Sequence, residues 1–408
     1  MSGGRVSVVV VSAGRPDALR RCLLGLSQQG KAGCEVIVVA DPQGQAAVRS
    51  LPVAGALKLL PQRAPNISAA RNAGIAAAAG DIIAFIDDDA VPEPTWSQAV
   101  VRAFEGADLA AITGPVLGRN GISLQWGPLA VNGTAEDVPT KPNTPFRDGF
   151  YRKLQGTNMA FRRDALAQVG GFDEAMHFYL DDTDMAFRVG QAGLPTAWIQ
   201  DAVVHHGFEA SSRRTKARVP LSLFDIGASS AVYLRKHAPE GQAEALHALE
   251  AVQSTRLLRM VKARKLDAEK MRTLLDSLRD GITQGQERKS AVPLVGLPAS
   301  DFDPFQRADP PPPRLLSGRS FQLPRLRAEA KSLVEKGQPV SLFAFEPTPR
   351  KHRVCFTDGG WWEQTGGLYG PSDRNGPRFQ LTTFKARVSA EARRISATRG
   401  VVGLGDMD

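Results

Sequence analysis

Residues 81–94 read DIIAFIDDDAVPEP. Ile82, Ile83, Ala84, Phe85 and Ile86 form a continuous apolar run of strand length, the pattern of a strand buried on both faces. A strand of that kind belongs inside a layered α/β body, where helices cover both sides of its sheet. The run stops in three adjacent acids, Asp87, Asp88 and Asp89, and Pro92 and Pro94 keep the strand from continuing. Three like charges at a strand end repel one another, and a chain keeps them most readily where something positive neutralises them. An oxygen-rich set of this kind suits Mg²⁺ or Mn²⁺, ions that also bridge to phosphate oxygens. A solvated acidic turn would explain an isolated Asp-Asp-Asp equally well, so the flanking segments decide.

Upstream, Pro65 and Asn66 read as a helix start with Asn66 as the N-cap. The Ala-rich residues 67–79 propagate that helix and Gly80 ends it, with Ala73, Ala76 and Ala77 small enough for close packing on a sheet. Arg71 lies about one turn in, placed for an anion near the helix start. Residues 6–11 form a second buried strand, residues 15–29 an amphipathic helix, and residues 35–39 a third strand ending near Asp41. This strand–helix–strand order implies a parallel sheet with right-handed crossovers. Ligands of such sheets bind beyond the carboxyl ends of the strands, where Asp41 and Asp87–Asp89 fall, so a nucleotide site is expected there.

In order along the chain stand VSVVVVSAGRPDALRRCLLGL, CEVIVVAD, NISAARNAGIAAAAGDIIAFIDDD, GTNMAFRRDALAQVGGFDE and YLDDTDMAFRVGQAGLP. Taken together, and over roughly residues 5–210, they resemble the family 2 glycosyltransferases with the GT-A fold. The resemblance implies a Rossmann-like, mostly parallel sheet with helices on both faces. It further implies inverting, metal-dependent transfer of a sugar from a nucleoside-diphosphate sugar, expected to be a UDP-sugar, to an acceptor hydroxyl. By position, Asp41 matches the aspartate that contacts the base, and Arg71 the arginine on the diphosphate side. Asp87 and Asp89 match the outer carboxylates of the DxD motif. Asp89 would ligate Mn²⁺ or Mg²⁺, Asp87 would touch the ribose or the metal shell, and Asp88 is counted with the donor-binding residues. Asp182 matches the catalytic base, the second position of an acidic pair whose first position is Asp181 here rather than the more usual Glu. Position 40 is Ala where many members carry a first Asp, so the base contact rests on Asp41.

The chemistry asks for these residue types. An acceptor hydroxyl is a weak nucleophile, and a carboxylate that takes its proton accelerates attack by about 10²–10⁴-fold. A base on the face opposite the leaving group implies displacement with inversion, by the logic of an inverting glycosidase. For residues 181–188, a helix with an acidic first turn is the structural alternative. His205 and His206 end another strand, and His206 aligns better with the family's histidine, a metal or phosphate ligand. Gly156, Thr157 and Asn158 would floor the acceptor cleft. The long segment 114–150, with Trp126 and its prolines at 138–145, reads as irregular and would overhang the acceptor.

Beyond this half the chain changes character. Residues 1–210 carry 18 Lys and Arg against 21 Asp and Glu, whereas residues 211–408 carry 33 against 21. Residues 211–289 read as a helical extension, in which Arg256, Arg259, Lys262, Arg264 and Lys265 cluster. A solvated helix face explains them, and weak attachment to anionic lipid is the functional alternative. Residues 290–320, with Pro310–Pro313, read as an extended spacer across which few contacts pass. Residues 321–408 form a small C-terminal appendage whose Trp361, Trp362 and Tyr369 are either a core or a sugar-stacking surface.

At 408 residues and 42% hydrophobic the chain can bury a large core. Cys22, Cys34 and Cys355 match no zinc or redox spacing, which suits a reducing compartment. No apolar stretch near ~18 residues and no signal-like segment is read, so a cytoplasmic protein is expected. The expected partners are the donor and a glycan, glycolipid or other hydroxyl acceptor. Two alternatives are a nucleotidyltransferase, for which residues 12–16 resemble a phosphate loop only faintly, and a sugar-nucleotide or glycan-binding protein without turnover. Nucleic acid is not an expected partner, since no recognition motif accompanies the net charge of +9.

Overall fold

The computed structural model describes residues 4–401 apart from 31–33, 52, 107, 143, 208–212, 214, 216–217, 300 and 306–310. The first half contains β1 (Val6–Ser12), β2 (Cys34–Ala40), β3 (Lys58–Pro61), β4 (Ile82–Asp87), β5 (Ala90–Pro92), β6 (Ala111–Thr113), β7 (Val116–Leu117) and β8 (Leu124–Trp126). β9 (Leu129–Val131), β10 (Asp137–Pro139), β11 (Tyr151–Arg152), β12 (Met159–Arg162), β13 (Thr196–Trp198) and β14 (Val204–His206) follow. Six helices interleave: α1 (Pro16–Leu26), α2 (Pro42–Arg49), α3 (Ile67–Ala77), α4 (Trp96–Glu105), α5 (Arg163–Val169) and α6 (Asp181–Gln191).

The central sheet has the order β13-β6-β12-β4-β1-β2-β3. β1 pairs in parallel with β2 and β4, β2 with β3, and β6 with β13, while β12 runs antiparallel between β4 and β6. This is the mostly parallel α/β fold expected from the sequence. Alternation along β1 sends Val8 into a core with Leu19, Leu23 and Trp96, and Val9 into a second core on the other face with Phe85, Phe161 and Met185. Asn66 caps α3 as expected, its Oδ1 accepting from the Ala69 N–H at 3.1 Å. Two details differ. The helix ends at Ala77, with Ala78 rather than Gly80 at its C-cap. Ala73 and Ala76 face solvent, and the close approach to the sheet is made by Gly74, where a Cβ would lie 2.3 Å from Val9 Cγ1.

The segment 114–150 is not an irregular loop. It contributes to two small sheets, ordered β5-β14-β7-β8 and β10-β9-β11. Its strands are only two or three residues long, too short for periodicity to show in the sequence.

The extension is helical as expected: α7 (Phe224–His237), α8 (Gln242–Lys262) and α9 (Ala268–Glu287). Arg256, Arg259, Lys262, Arg264 and Lys265 are all exposed, which fits the solvated face. Among the described residues, no helix is long and apolar enough to cross a membrane.

The C-terminal unit comprises β15 (Arg314–Arg319), α10 (Leu323–Glu335), β16 (Val340–Glu346), β17 (Arg353–Phe356), β18 (Trp362–Gly367) and α11 (Phe384–Arg399), with sheet order β15-β16-β18-β17. Trp361 and Trp362 are 9% and 2% exposed, so they are core and not a sugar-stacking surface. The expectation of a spacer standing clear of the body is corrected at both its ends. Gly171 N–H donates to Pro293 O at 2.8 Å, Ala299 N–H to Ala78 O at 3.0 Å and Phe305 N–H to Cys34 O at 2.7 Å. Phe305 itself is buried in the first-half core, and the last residues of the expected spacer already form β15. Proline removes donors but leaves every carbonyl free to accept, so a proline-rich strap can lie along a body as readily as span solvent.

Candidate active site

The three acids at the end of β4 part company. Alternation sends Asp87 toward one side, where it accepts from the Thr157 hydroxyl and lies 3.6 Å from the Arg71 guanidinium. Asp89 faces His206, with Oδ1 to Nε2 at 3.2 Å, and Arg15 at 3.1 Å. One ligand atom each from Asp87, Asp89 and His206 lie within 4.8 Å of one another. Two carboxylates and an imidazole gathered so closely are a donor set that fits a hard or borderline divalent cation such as Mn²⁺ or Mg²⁺. Asp88 is turned away. It is fully buried, accepts from the Ser12 hydroxyl at 2.7 Å and is paired with Arg15. Burial pushes its carboxyl up to about 7 despite Arg15, and a buried carboxyl has no surface with which to touch a donor. The expectation that Asp88 binds the sugar nucleotide is therefore corrected.

His206 rather than His205 joins the cluster. Its ring stacks on Trp126 with centroids 5.5 Å apart, and Nδ1 lies 3.0 Å from Gln125 Oε1. With Nδ1 turned to Gln125, Nε2 is the ring nitrogen that faces Asp89. His205 points the other way, hydrogen-bonded to Glu93 at 2.8 Å and set against Trp362.

Downstream, Asp181, Asp182 and Asp184 share the first turn of α6. Tyr179 and Leu180, just before it, hold φ of 78° and 62°, a left-handed pair without glycine. Such conformations cost about 1–3 kcal/mol each and gather at functional sites. Asp181 is buried and paired with Arg71; burial, reinforced by Asp182, still leaves its carboxyl raised. Asp184 is buried among Arg188, Lys236 and His237. Burial would raise its carboxyl, but those partners hold it well below the usual range, the mark of a structural anchor. Asp182 is left partly open, with Oδ2 accepting from Gly156 N–H at 2.9 Å.

The connection between the two carboxylate groups is the turn at Gly156 and Thr157. Gly156 N–H holds Asp182 and the next residue's hydroxyl holds Asp87. A Cβ at Gly156 would meet Arg71 Nη2 at 2.7 Å and Asp182 Oδ2 at 3.2 Å, so the site closes only around a glycine. Asn158 looks away from the cleft. It binds the Pro115 and Ala202 carbonyls and the Trp96 indole from within the core. Arg71 is locked between Asp181 and Asp87 and lies over Phe172. Asp41 caps α2, with Gly44 N–H at 2.8 Å, and its second oxygen takes Gly14 N–H at 2.7 Å, which ties the β1 and β2 ends together. Sequence reasoning missed Arg15, the cation between Asp88 and Asp89; a basic residue just past a strand end beside an acid triplet is the signal that could have found it.

A family model described as glycosyltransferase like family 2 matches residues 4–219. The pre-mycofactocin glycosyltransferase of Mycobacterium tuberculosis is 28% identical over 229 residues, 52% of this chain and 45% of that protein. The glucosyl-dolichyl phosphate glucuronosyltransferase of Haloferax volcanii is 30% identical over 126 residues, 26% of this chain and 34% of that one. The chain thus spans less than half the length of these curated relatives. A mannosyltransferase from Pyrobaculum calidifontis, solved with GDP-Man and Mn²⁺, superposes with a TM-score of 0.41 at 16% identity, covering 70% of this chain and 88% of that one. With more than half its length matched by the family model, this chain belongs to glycosyltransferase-like family 2.

Proposed function

We propose that the protein transfers a sugar from a nucleoside-diphosphate sugar to an acceptor hydroxyl with inversion, with Asp182 as the base. The observation that carries this reading is the Gly156–Thr157 turn, which ties Asp182 and the cation-binding carboxylate Asp87 into one site. The acceptor hydroxyl attacks the anomeric carbon while Asp182 takes its proton. The bond to the diphosphate oxygen breaks and its electron pair leaves with the diphosphate. A divalent cation held by Asp87, Asp89 and His206 would offset the charge that develops on the leaving group. Arg71 keeps Asp181 occupied, so the open Asp182 is the carboxylate free to accept the proton. Asp41 stands at the β2 end where the base of the donor would lie.

A thermal-shift panel of nucleotide sugars with and without Mn²⁺ tests the reading. Donor at 100 times its Kd should stabilise the chain by about 2.7 kcal/mol. Asp89→Ala should keep the fold and lose the metal-dependent part of that shift. Stabilisation that is the same with and without metal in the parent would remove the cluster from donor binding.

A further inference from the structure

Where the C-terminal sheet meets the catalytic half there is a cavity of about 450 Å³ that reaches the cation cluster at Asp89 and His206. Neither half builds it alone. Arg21 comes from α1 and Arg119 from the turn after β7, while Arg353 and Phe356 come from β17, beyond the residues matched by the family model. The two sides are joined by backbone: Val354 N–H donates to Asn120 O at 2.8 Å, which fixes Arg353 beside the turn that carries Arg119. Among the described residues, the lining carries three guanidinium groups and a single carboxylate, Asp89, which Arg15 and His206 already engage. Arg21 pairs with Asp358 at 3.1 Å at the rim, and Arg119 donates to the Gly207 carbonyl. Arg353 makes no ion pair with any described carboxylate. The floor is apolar, with Val91, Val354 and Phe356 packed around Trp362.

Guanidinium groups lining an apolar-floored cleft suit a phosphate attached to an apolar or sugar body, because arginine binds phosphate bidentately and loses little hydration in doing so. We propose that this cavity binds the acceptor, and that the acceptor carries a phosphoryl group held by Arg119 and Arg353 with Arg21 at the rim. The proposal rests on the glycosyl-transfer reading. It gives the C-terminal unit a role: it supplies half of the acceptor's anion site, next to the cluster where transfer occurs.

The test uses the full chain and phenyl phosphate as a small phosphomonoester probe. The donor site is first filled with UDP or GDP and Mn²⁺, and phenyl phosphate is then titrated calorimetrically. Binding should persist in the presence of nucleotide. Arg353→Gln and Arg119→Gln should each weaken it by about tenfold, the loss of one charge-assisted contact. Arg353→Lys, which keeps the charge and loses the fork, should fall between. Nucleotide affinity should stay at the parent's value in all three. Competition between phenyl phosphate and nucleotide, one for one, would assign the cavity to the donor's own diphosphate and overturn the proposal. So would unchanged phenyl phosphate binding in Arg119→Gln and Arg353→Gln. A parent chain that binds no nucleotide yet binds phenyl phosphate through Arg353 would sink the glycosyl-transfer reading while upholding the anion site.

Discussion

Adjacent carboxylates at the start of α6 meet different fates, and backbone direction decides which one is available for chemistry. Asp181 turns into the body and is spent on Arg71, Asp184 is spent on Arg188, Lys236 and His237, and Asp182 alone faces the cleft. Asp182→Asn keeps the shape and removes the proton acceptor. Transfer should fall by about 10²–10⁴-fold with donor affinity retained, read as a kcat loss at unchanged nucleotide Kd. Near-normal turnover would instead hand the role to Asp181 and require Arg71 to release it.

At the scale of elements, the short turn before β12 does what no single side chain does, since it sets the distance between Asp182 and the cluster of Asp87, Asp89 and His206. Gly156→Ala places a methyl against Arg71 and Asp182, and Arg71 cannot retreat while Asp181 holds it. Activity should therefore drop far more than the melting temperature, measured side by side on the purified variant. The strand-end acids, the Asn66 cap and the elements β1, α1 and β2 were legible because each is encoded within about a dozen neighbouring residues. The strands of 114–150 were not, because two or three residues carry no period. Nor was the partner of Glu93, which lies 306 positions away at Arg399. That pair is buried and bidentate, at 2.8 and 2.7 Å, and links the segment after β5 to the end of α11. Burial alone would raise the Glu93 carboxyl, but Arg399 and the hydrogen bond from His205 hold it well below the carboxylate range. A depressed folded pKa stabilises above the unfolded value near ~4.3 and loses that stability as pH falls toward the folded value. The parent should thus lose stability between about pH 4.5 and 2 more steeply than Glu93→Gln, followed by urea unfolding at each pH. Arg399→Met, which strands a buried charge, should cost about 3–5 kcal/mol at pH 7, and adding Glu93→Gln should recover part of it.

For the whole molecule the question is whether the C-terminal unit is an attachment or part of one body with the first half. The proline-rich stretch reads as a boundary, and a chain cut near Arg307 would then be expected to fold alone. The contacts say otherwise. Ala291, Pro293, Ala299 and Phe305 are pinned at Glu174, Gly171, Ala78 and Cys34, and Phe305 fills the core shared by α1 and α4. Past the strap, Val354, Phe356 and Trp362 cover Val91, Leu24 and Ile122. Gln28 donates to Gly360 O at 2.6 Å, and Arg399 reaches Glu93. A chain ending after Phe305 would retain the strap but expose that apolar face. At about 1.5–3 kcal/mol for each large side chain uncovered, plus the unpaired Glu93, the loss rivals the total stability of an ordinary domain. We expect the truncated chain to aggregate or to melt far below the parent. Limited proteolysis of the full chain should spare the peptide bonds beside Pro293, Ala299 and Phe305 unless denaturant is added. A cut there under native conditions, leaving a soluble fragment that melts like the parent and still binds nucleotide, would show that the unit is separable and that the interface contributes little.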